Sequence, residues 1–163
     1  MNLIFTCGGT AGHINPAIAV AKMMQQRHPD ANILFIGATG HMEEKLVPQA
    51  GFEVKCLPGS GLSRKLNLAG IKKNINAIKC VVNAVAKCKK IIRDFQADVV
   101  VGTGGYASLP ALVAAGKLKI PCCVHEANAE PGLTTRLVAP MMGAIMVCFP
   151  QSAQYYKEQN KVH

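Results

Sequence analysis

The chain has 163 residues, half of them hydrophobic, which is the length and composition of one globular domain and excludes a disordered segment. Eighteen Lys and Arg against nine Asp and Glu give a formal net charge of +9, which indicates an anionic partner such as a nucleic acid, an anionic lipid or a phosphorylated substrate. Aromatic residues make up 5% and Trp is absent, which argues against a surface that stacks on bases.

Strand-length and helix-length apolar segments alternate along the chain. The predicted strands are residues 2–6, 32–36, 52–57, 98–102, 120–124 and 144–148. The predicted helices are residues 14–24, 41–50, 71–94, 109–118, 133–138 and 151–158, and residues 58–67 form a long loop. The alternation predicts one α/β domain over residues 1–163, with a doubly wound, Rossmann-like parallel sheet and right-handed crossovers. Ligands of such sheets bind at the carboxyl ends of the strands.

The first strand runs into a glycine-rich sequence, CGGTAGHINP, at residues 7–16. Its glycines permit close approach of the backbone, and the helix that follows presents free N–H groups to an anion. We expect Pro16 in the first helical turn, where a missing N–H is tolerated. The loop lacks the Gly-x-Gly-x-x-Gly pattern and no Gly-Lys-Ser/Thr follows, which argues against a dinucleotide site and excludes a P-loop. A tight turn without a ligand is the structural alternative.

Two further polar segments follow predicted strands. GGYAS at residues 104–108 follows the fourth strand, and HEAN at residues 125–128 follows the fifth. Because the carboxyl ends of parallel strands lie along one edge of the sheet, we expect all three segments to converge on one cleft.

The three segments together resemble the bacterial MurG-type glycosyltransferases of glycosyltransferase family 28, in the family's order and at similar spacing, over essentially the whole chain. The resemblance implies one half of a GT-B fold, in which this N-terminal half binds the acceptor and a C-terminal half, absent from the chain, binds most of the UDP-GlcNAc. The implied reaction is the inverting transfer of GlcNAc to the C4 hydroxyl of MurNAc in lipid I (undecaprenyl-pyrophosphoryl-MurNAc-pentapeptide), which gives lipid II for peptidoglycan synthesis. We expect the chain to be inactive alone.

His13 is the first candidate for the general base, because an imidazole titrates near neutrality, and Glu126 is the alternative base. The resemblance implies substrate contacts at Thr10, Ala11, Gly12, Asn128, Gly104, Gly105, Tyr106, Ser108 and His125. Residues 10–12 and Asn128 would face the donor, the loop amides are also available to the acceptor pyrophosphate, and Tyr106 would position the acceptor. The structural alternatives are a hydrogen-bond pair between elements for His125 and Glu126, and a half-buried ring with a solvated hydroxyl for Tyr106.

Two positions depart from the family pattern. Ala11 stands where the family usually has Gly, so we do not expect this residue at positive φ. Ala127 stands where the family usually has Gln, which removes one hydrogen-bonding side chain. The seven cysteines are never spaced as Cys-x-x-Cys and no Asp-x-Asp occurs, so we expect reduced thiols, no metal and no other cofactor.

Residues 64–93 carry nine Lys and Arg and no acidic residue. An amphipathic helix that packs its apolar stripe on the sheet is the ordinary explanation. The excess of cations predicts peripheral binding to anionic lipid, and the resemblance places this at the cytoplasmic face of the bacterial plasma (inner) membrane. The residues assigned to this membrane surface are Leu62, Leu66, Leu68, Lys72, Lys73, Ile75, Lys79 and Val82.

Two other functions stay open. Another GT-B glycosyltransferase with a lipid acceptor, such as diacylglycerol, would share the fold and the basic helix. A non-catalytic module that binds polyanions would explain the charge of +9. The scarcity of aromatic residues argues against the second, so no nucleic-acid partner is expected.

Overall fold

The computed structural model describes residues 1–58 and 68–163, and between 68 and 78 it describes the backbone alone. In this part of the chain six strands form one sheet, and they are β1 (Asn2–Thr6), β2 (Asn32–Ala38), β3 (Glu53–Leu57), β4 (Val99–Gly102), β5 (Cys122–Glu126) and β6 (Ala144–Val147). All neighbours pair in parallel, in the order β3-β2-β1-β4-β5-β6. The predicted doubly wound parallel sheet is confirmed. The strand order reverses between β1 and β4, where sheets of this kind have their ligand crevice.

In the described ranges five α-helices cover the sheet, and they are α1 (Ala11–Arg27), α2 (Glu43–Gln49), α3 (Leu68–Asp94), α4 (Leu109–Leu118) and α5 (Leu133–Val138). Short 3₁₀ helices lie at Tyr106–Ser108, Ala139–Met141, Pro150–Tyr155 and Gln159–Lys161. The predicted loop at 58–67 lies, apart from residue 58, outside the described residues.

Successive residues of β1 point into two different cores, one on each face of the sheet. Leu3 and Phe5 are buried with Phe35 on one face, where the two phenyl rings stack with centroids 5.4 Å apart. Ile4 points to the other face and belongs to the cluster of Leu112 on α4. Because both faces are covered, the strands read as continuous apolar runs.

Helix α1 begins at Ala11, three residues earlier than the sequence predicts. Thr10 is the N-cap, with an extended backbone, and its carbonyl accepts a hydrogen bond from the amide of His13 (3.1 Å). The expectation that Pro16 lies in the first turn is therefore wrong, since Pro16 lies inside the helix. Its missing N–H deprives the carbonyl of Gly12 of a helical donor, and Gly12 is exposed, so water can serve that carbonyl.

Other element boundaries also differ from the prediction, and two of these differences change how residues are assigned. β5 extends to Glu126, so His125 and Glu126 are strand residues rather than the start of the loop. The predicted helix at 151–158 is a 3₁₀ helix that ends at Tyr155. Tyr156 then adopts an extended backbone and is buried at 4% exposure, and anchoring this ring in the core stops the helix.

Candidate functional site

The two glycine-rich loops pack directly against each other at the switch point of the sheet. The amide of Thr103, after β4, donates a hydrogen bond to the carbonyl of Thr6 at the end of β1 (3.1 Å). Gly105 has φ of 79°, and a Cβ at this position would lie 2.1 Å from the carbonyl oxygen of Gly8. Only glycine permits so close an approach, and the expected convergence of these two loops is confirmed.

His13 is held by two hydrogen bonds to the second loop. Its Nδ1 lies 2.9 Å from the carbonyl oxygen of Thr103, and the Thr103 hydroxyl donates to the His13 carbonyl at 2.6 Å. A carbonyl oxygen can only accept, so Nδ1 carries the proton and donates it. With the proton on Nδ1, the neutral form of the ring has a lone pair on Nε2 for another partner. The half-buried His13 lines a cleft.

Tyr106 is half-buried, and its hydroxyl lies 2.5 Å from Nε2 of His41. The two rings meet edge to face, with centroids 5.6 Å apart. Burial, and then the negative charge of Glu43, raise the pKa of Tyr106 above its usual value. The hydroxyl thus has a partner within the chain rather than solvent alone. Sequence reasoning missed His41, although it follows β2 at the same edge of the sheet.

Glu126 is buried at 2% exposure, and both of its carboxylate oxygens accept hydrogen bonds. Oε1 accepts from the backbone and side-chain amides of Asn128 (2.9 and 2.7 Å), and Oε2 accepts from the amide of Gly132 (3.0 Å). Burial alone raises the pKa of a carboxyl, but the hydrogen bonds from Asn128, Thr135 and Gly132 outweigh it and hold the pKa of Glu126 below its ordinary value. The carboxylate therefore stabilises the conformation of the loop at 126–132.

His125 and Glu126 do not bond to each other, since neighbouring strand residues point to opposite faces. Nε2 of His125 lies 3.2 Å from Sγ of Cys148, and burial lowers the pKa of His125. Ser108 is fully buried, and its hydroxyl donates to the carbonyl of Gly105 at 2.8 Å. The side chain therefore stabilises the turn of the second loop.

Glu43, the first residue of α2, is a site residue that sequence reasoning missed. Its side chain is fully buried. Oε1 accepts a hydrogen bond from the amide of Ala38 (2.9 Å), and Oε2 accepts one from the amide of Gly9 (3.3 Å). The sequence feature that could have indicated Glu43 is its position as an acidic residue shortly after β2, near the same edge of the sheet. Its contact in the first glycine loop, Gly9, lies 34 positions away in the sequence.

A cleft of about 600 Å³ opens along this edge. The predicted site residues that line it are His13, Gly105, Tyr106, Glu126 and Asn128. Its outer part is apolar, with Val82 of α3 and Leu133 and Leu137 of α5 on the walls. These three side chains are 62%, 63% and 55% exposed, so the cleft joins polar groups at its base to an apolar rim.

The remaining predicted substrate contacts lie beside the cleft. Thr10 and Gly12 are exposed at the start of α1, and Ala11 between them is not at positive φ, as expected. Gly104 is buried, and a Cβ there would lie 3.1 Å from Nδ1 of His13. Leu62 and Leu66 of the predicted membrane surface lie outside the described residues.

The sheet order and the paired glycine loops at its switch point define a Rossmann-like α/β domain, the fold of one half of a GT-B glycosyltransferase. Comparison with known proteins makes this assignment specific. The chain belongs to the glycosyltransferase family 28 N-terminal domain family, whose family model matches residues 3–147.

Among curated proteins, the chain is 41% identical over 162 residues to the UDP-N-acetylglucosamine--N-acetylmuramyl-(pentapeptide) pyrophosphoryl-undecaprenol N-acetylglucosamine transferase of Acetivibrio thermocellus, covering 99% of this chain and 43% of that protein. It is 43% identical over 159 residues to the enzyme of the same name from Lactococcus lactis subsp. cremoris, covering 98% and 43%. The crystal structure of Acinetobacter baumannii MurG superposes with a TM-score of 0.78 at 27% identity, covering 93% of this chain and 42% of that one. The chain thus spans 43% of the length of these curated relatives.

Proposed function

We propose that this chain is the acceptor-binding half of an inverting transferase that moves GlcNAc from UDP-GlcNAc to the C4 hydroxyl of MurNAc in lipid I. The observation that carries the proposal is the state of His13. Its Nδ1–H donates to the carbonyl of Thr103, so Nε2 remains available as a base. The His13 side chain lines the cleft. Relatives 41–43% identical bear the name of this activity.

In the proposed reaction, Nε2 of His13 accepts the proton of the acceptor hydroxyl while the oxygen attacks the anomeric carbon. The bond from that carbon to the diphosphate breaks, UDP leaves with the electron pair, and the configuration inverts. The carbonyl of Thr103 stabilises the imidazolium by accepting its Nδ1–H. A positioned general base of this kind typically contributes about 10²–10⁴-fold to the rate. Glu126, whose oxygens hold three hydrogen bonds, fits a positioning role better than that of the alternative base.

The donor is proposed to lie against the exposed start of α1 and against Asn128. The first amides of a helix have no intrahelical acceptor, so those of Ala11 and Gly12 are available to a phosphate oxygen. The amide of Gly9 is not, because it donates to Glu43. Most of the UDP-GlcNAc would be bound by a second domain, which the greater length of the relatives supports.

The acceptor is proposed to be lipid-linked and held at an anionic membrane surface on the cytoplasmic face. The apolar rim formed by Val82, Leu133 and Leu137 suits an aliphatic chain better than a sugar. Lys79 is exposed on α3, which also carries Lys72, Lys73, Ile75 and Leu68. Among the described residues no helix is both long and apolar enough to cross a membrane. Peripheral binding through α3 and the cleft rim is the corresponding proposal.

The test replaces His13 by Ala and by Gln in the full-length enzyme, with lipid I and UDP-GlcNAc as substrates. We expect kcat to fall by about 10²–10⁴-fold while the enzyme stays folded, which is the loss of a general base. His28→Gln is the matched control, because His28 is exposed just past the end of the same helix. Loss of activity only in proportion to loss of folded protein would contradict the role of His13.

The acceptor is tested separately by offering lipid I, diacylglycerol and nucleic acid to the same preparation. Transfer to diacylglycerol but not to lipid I would identify a different GT-B transferase. Salt-sensitive binding to RNA or DNA far above binding to anionic vesicles would favour a polyanion-binding module.

A further inference from the structure

The buried carboxylate of Glu43 lies beneath the first glycine loop, and the proposed mechanism does not use it. We propose that Glu43 is a positioning residue, an internal anion that occupies the amide of Gly9 and so fixes the loop that carries His13. The inference rests on the proposed function for its effect on catalysis. Its structural part, the clamp on the loop, can be tested without any activity.

Two backbone amides from different strand ends converge on this carboxylate. Oε1 takes the amide of Ala38 at the end of β2, and Oε2 takes the amide of Gly9 after β1. Glu43 has no exposed surface, its bond from the amide of Ala38 is buried, and its bond from the amide of Gly9 is partly buried. Hydrogen bonds to a charged acceptor in such surroundings are stronger than neutral ones, which makes the carboxylate an effective tie between β2 and the loop.

The room for this side chain is made by two glycines. A Cβ on Gly8 would lie 2.4 Å from Oε1 of Glu43, and a Cβ on Gly37 would lie 2.5 Å from its Cγ. Any other residue at either position would displace the carboxylate. Two of the glycines at this edge are therefore explained by the space that Glu43 needs, rather than by a bound phosphate.

This tie has a consequence for the orientation of the loop. Gly9 has φ of 87°, and its N–H is directed at the buried carboxylate. After Gly9 the chain continues through the exposed Thr10 and reaches His13 within one helical turn. The carbonyl of Thr103 in the second loop accepts the hydrogen bond of the His13 ring. Glu43 and Thr103 thus fix the two ends of the segment that presents the imidazole.

The structural test measures the exchange of the Gly9 amide by NMR in one variant and its matched control. In Glu43→Gln the new NH₂ group must face one of two N–H donors. We expect it to face Gly9, whose bond is longer (3.3 Å) than that of Ala38 (2.9 Å), so the Gly9 bond is lost while the shape is kept. We expect the Gly9 amide to exchange at least about tenfold faster than in the unchanged protein, since each released amide loses its protection. Glu44→Gln is the matched control, because Glu44 is exposed next to it on α2. Unchanged exchange at Gly9 would overturn the clamp.

The catalytic test uses the full-length enzyme with the same variants. A displacement of His13 by about 1 Å can cost roughly 100-fold, so we expect kcat of Glu43→Gln to fall at least tenfold while KM for UDP-GlcNAc changes less than twofold. Wild-type kcat in this variant would overturn the positioning role.

Glu43→Asp keeps the charge but is one methylene too short to reach both amides, and it replaces Glu43→Gln in both tests if the latter does not fold. We expect the same faster exchange and lower kcat from it. If the unchanged enzyme shows no transfer to lipid I, the proposed function fails, and the exchange measurement still decides the inference about Glu43.

Discussion

Glu126 is a buried carboxylate that accepts three hydrogen bonds, which makes its ionised form part of the folded state. Its pKa in the folded chain lies below the ordinary 4.5. A group with a lowered pKa contributes stability that is fully present above the unfolded value and is lost as the pH falls through the folded value. The chain should therefore lose part of its stability below about pH 4.5 as Glu126 takes up a proton.

We expect Glu126→Gln to lower the free energy of unfolding at pH 7 by about 1–3 kcal/mol, because its NH₂ group leaves a buried donor without an acceptor. The difference from the unchanged chain should shrink as the pH falls below about 4.5. Urea unfolding at several pH values measures both effects. Glu130→Gln is the control, since Glu130 is exposed and pairs only at the surface with Arg136. An equal effect of the two changes, or a difference that grows in acid, would count against this account.

A comparison of two glycines separates the stability cost of a steric clash between Gly105 and Gly8 from the cost of a left-handed backbone. Gly105 and Gly40 both have φ of 79°, but a Cβ on Gly40 would meet nothing within 4 Å, whereas one on Gly105 would meet the carbonyl of Gly8. We expect Gly40→Ala to destabilise the chain by about 1–2 kcal/mol through the left-handed backbone alone. Gly105→Ala should lower the melting temperature clearly further. Equal melting temperatures of the two variants would show that the loops separate without cost.

At the scale of elements, α3 combines a packed face with an exposed basic one. Val85, Cys88 and Ile92 are buried in the core, while Lys79 and Lys87 are exposed. Among the side chains that the structure describes, the run of cations is compensated at its end, where Lys90 lies 2.5 Å from Asp94 in an exposed pair.

We expect Lys72→Glu combined with Lys79→Glu to weaken binding to anionic vesicles by at least about 30-fold, at about 1 kcal/mol for each basic residue lost. Co-sedimentation across a salt series measures this. The control is Lys22→Glu with Lys117→Glu, which changes the charge equally but at exposed positions on α1 and α4. Equal losses in both double variants would mean that net charge, and not the face of α3, drives binding.

The local sequence pattern was enough to predict the order of strands and helices along the chain. It did not predict which distant residues contact one another at the site. The six strands follow from apolar runs that need no distant information, and the convergence of the loops follows from the carboxyl-edge rule. The tie from Glu43 to Gly9 spans 34 positions, and the contact from His41 to Tyr106 spans 65. Such pairs depend on the order β3-β2-β1-β4, which places β2 beside β1 and β1 beside β4 and which the sequence pattern does not specify.

At the scale of the whole molecule, the described residues combine a packed sheet with an open cleft. Both faces of its sheet carry a buried cluster, and Val162 adds a parallel bridge beside β6. The cleft, in contrast, has exposed apolar walls and an exposed helix start.

We expect the 163-residue chain alone to bind vesicles that carry lipid I more tightly than vesicles of equal surface charge without it, but to release no UDP from UDP-GlcNAc. Acceptor binding needs only the cleft and α3, whereas transfer needs a donor held in line with the acceptor hydroxyl and Nε2 of His13. Co-sedimentation at matched charge measures the first property, and a coupled assay for UDP measures the second, with the full-length enzyme as the positive control. Release of UDP by the chain alone would show that it binds the whole donor itself, and equal binding to both vesicles would show that the cleft does not recognise the acceptor.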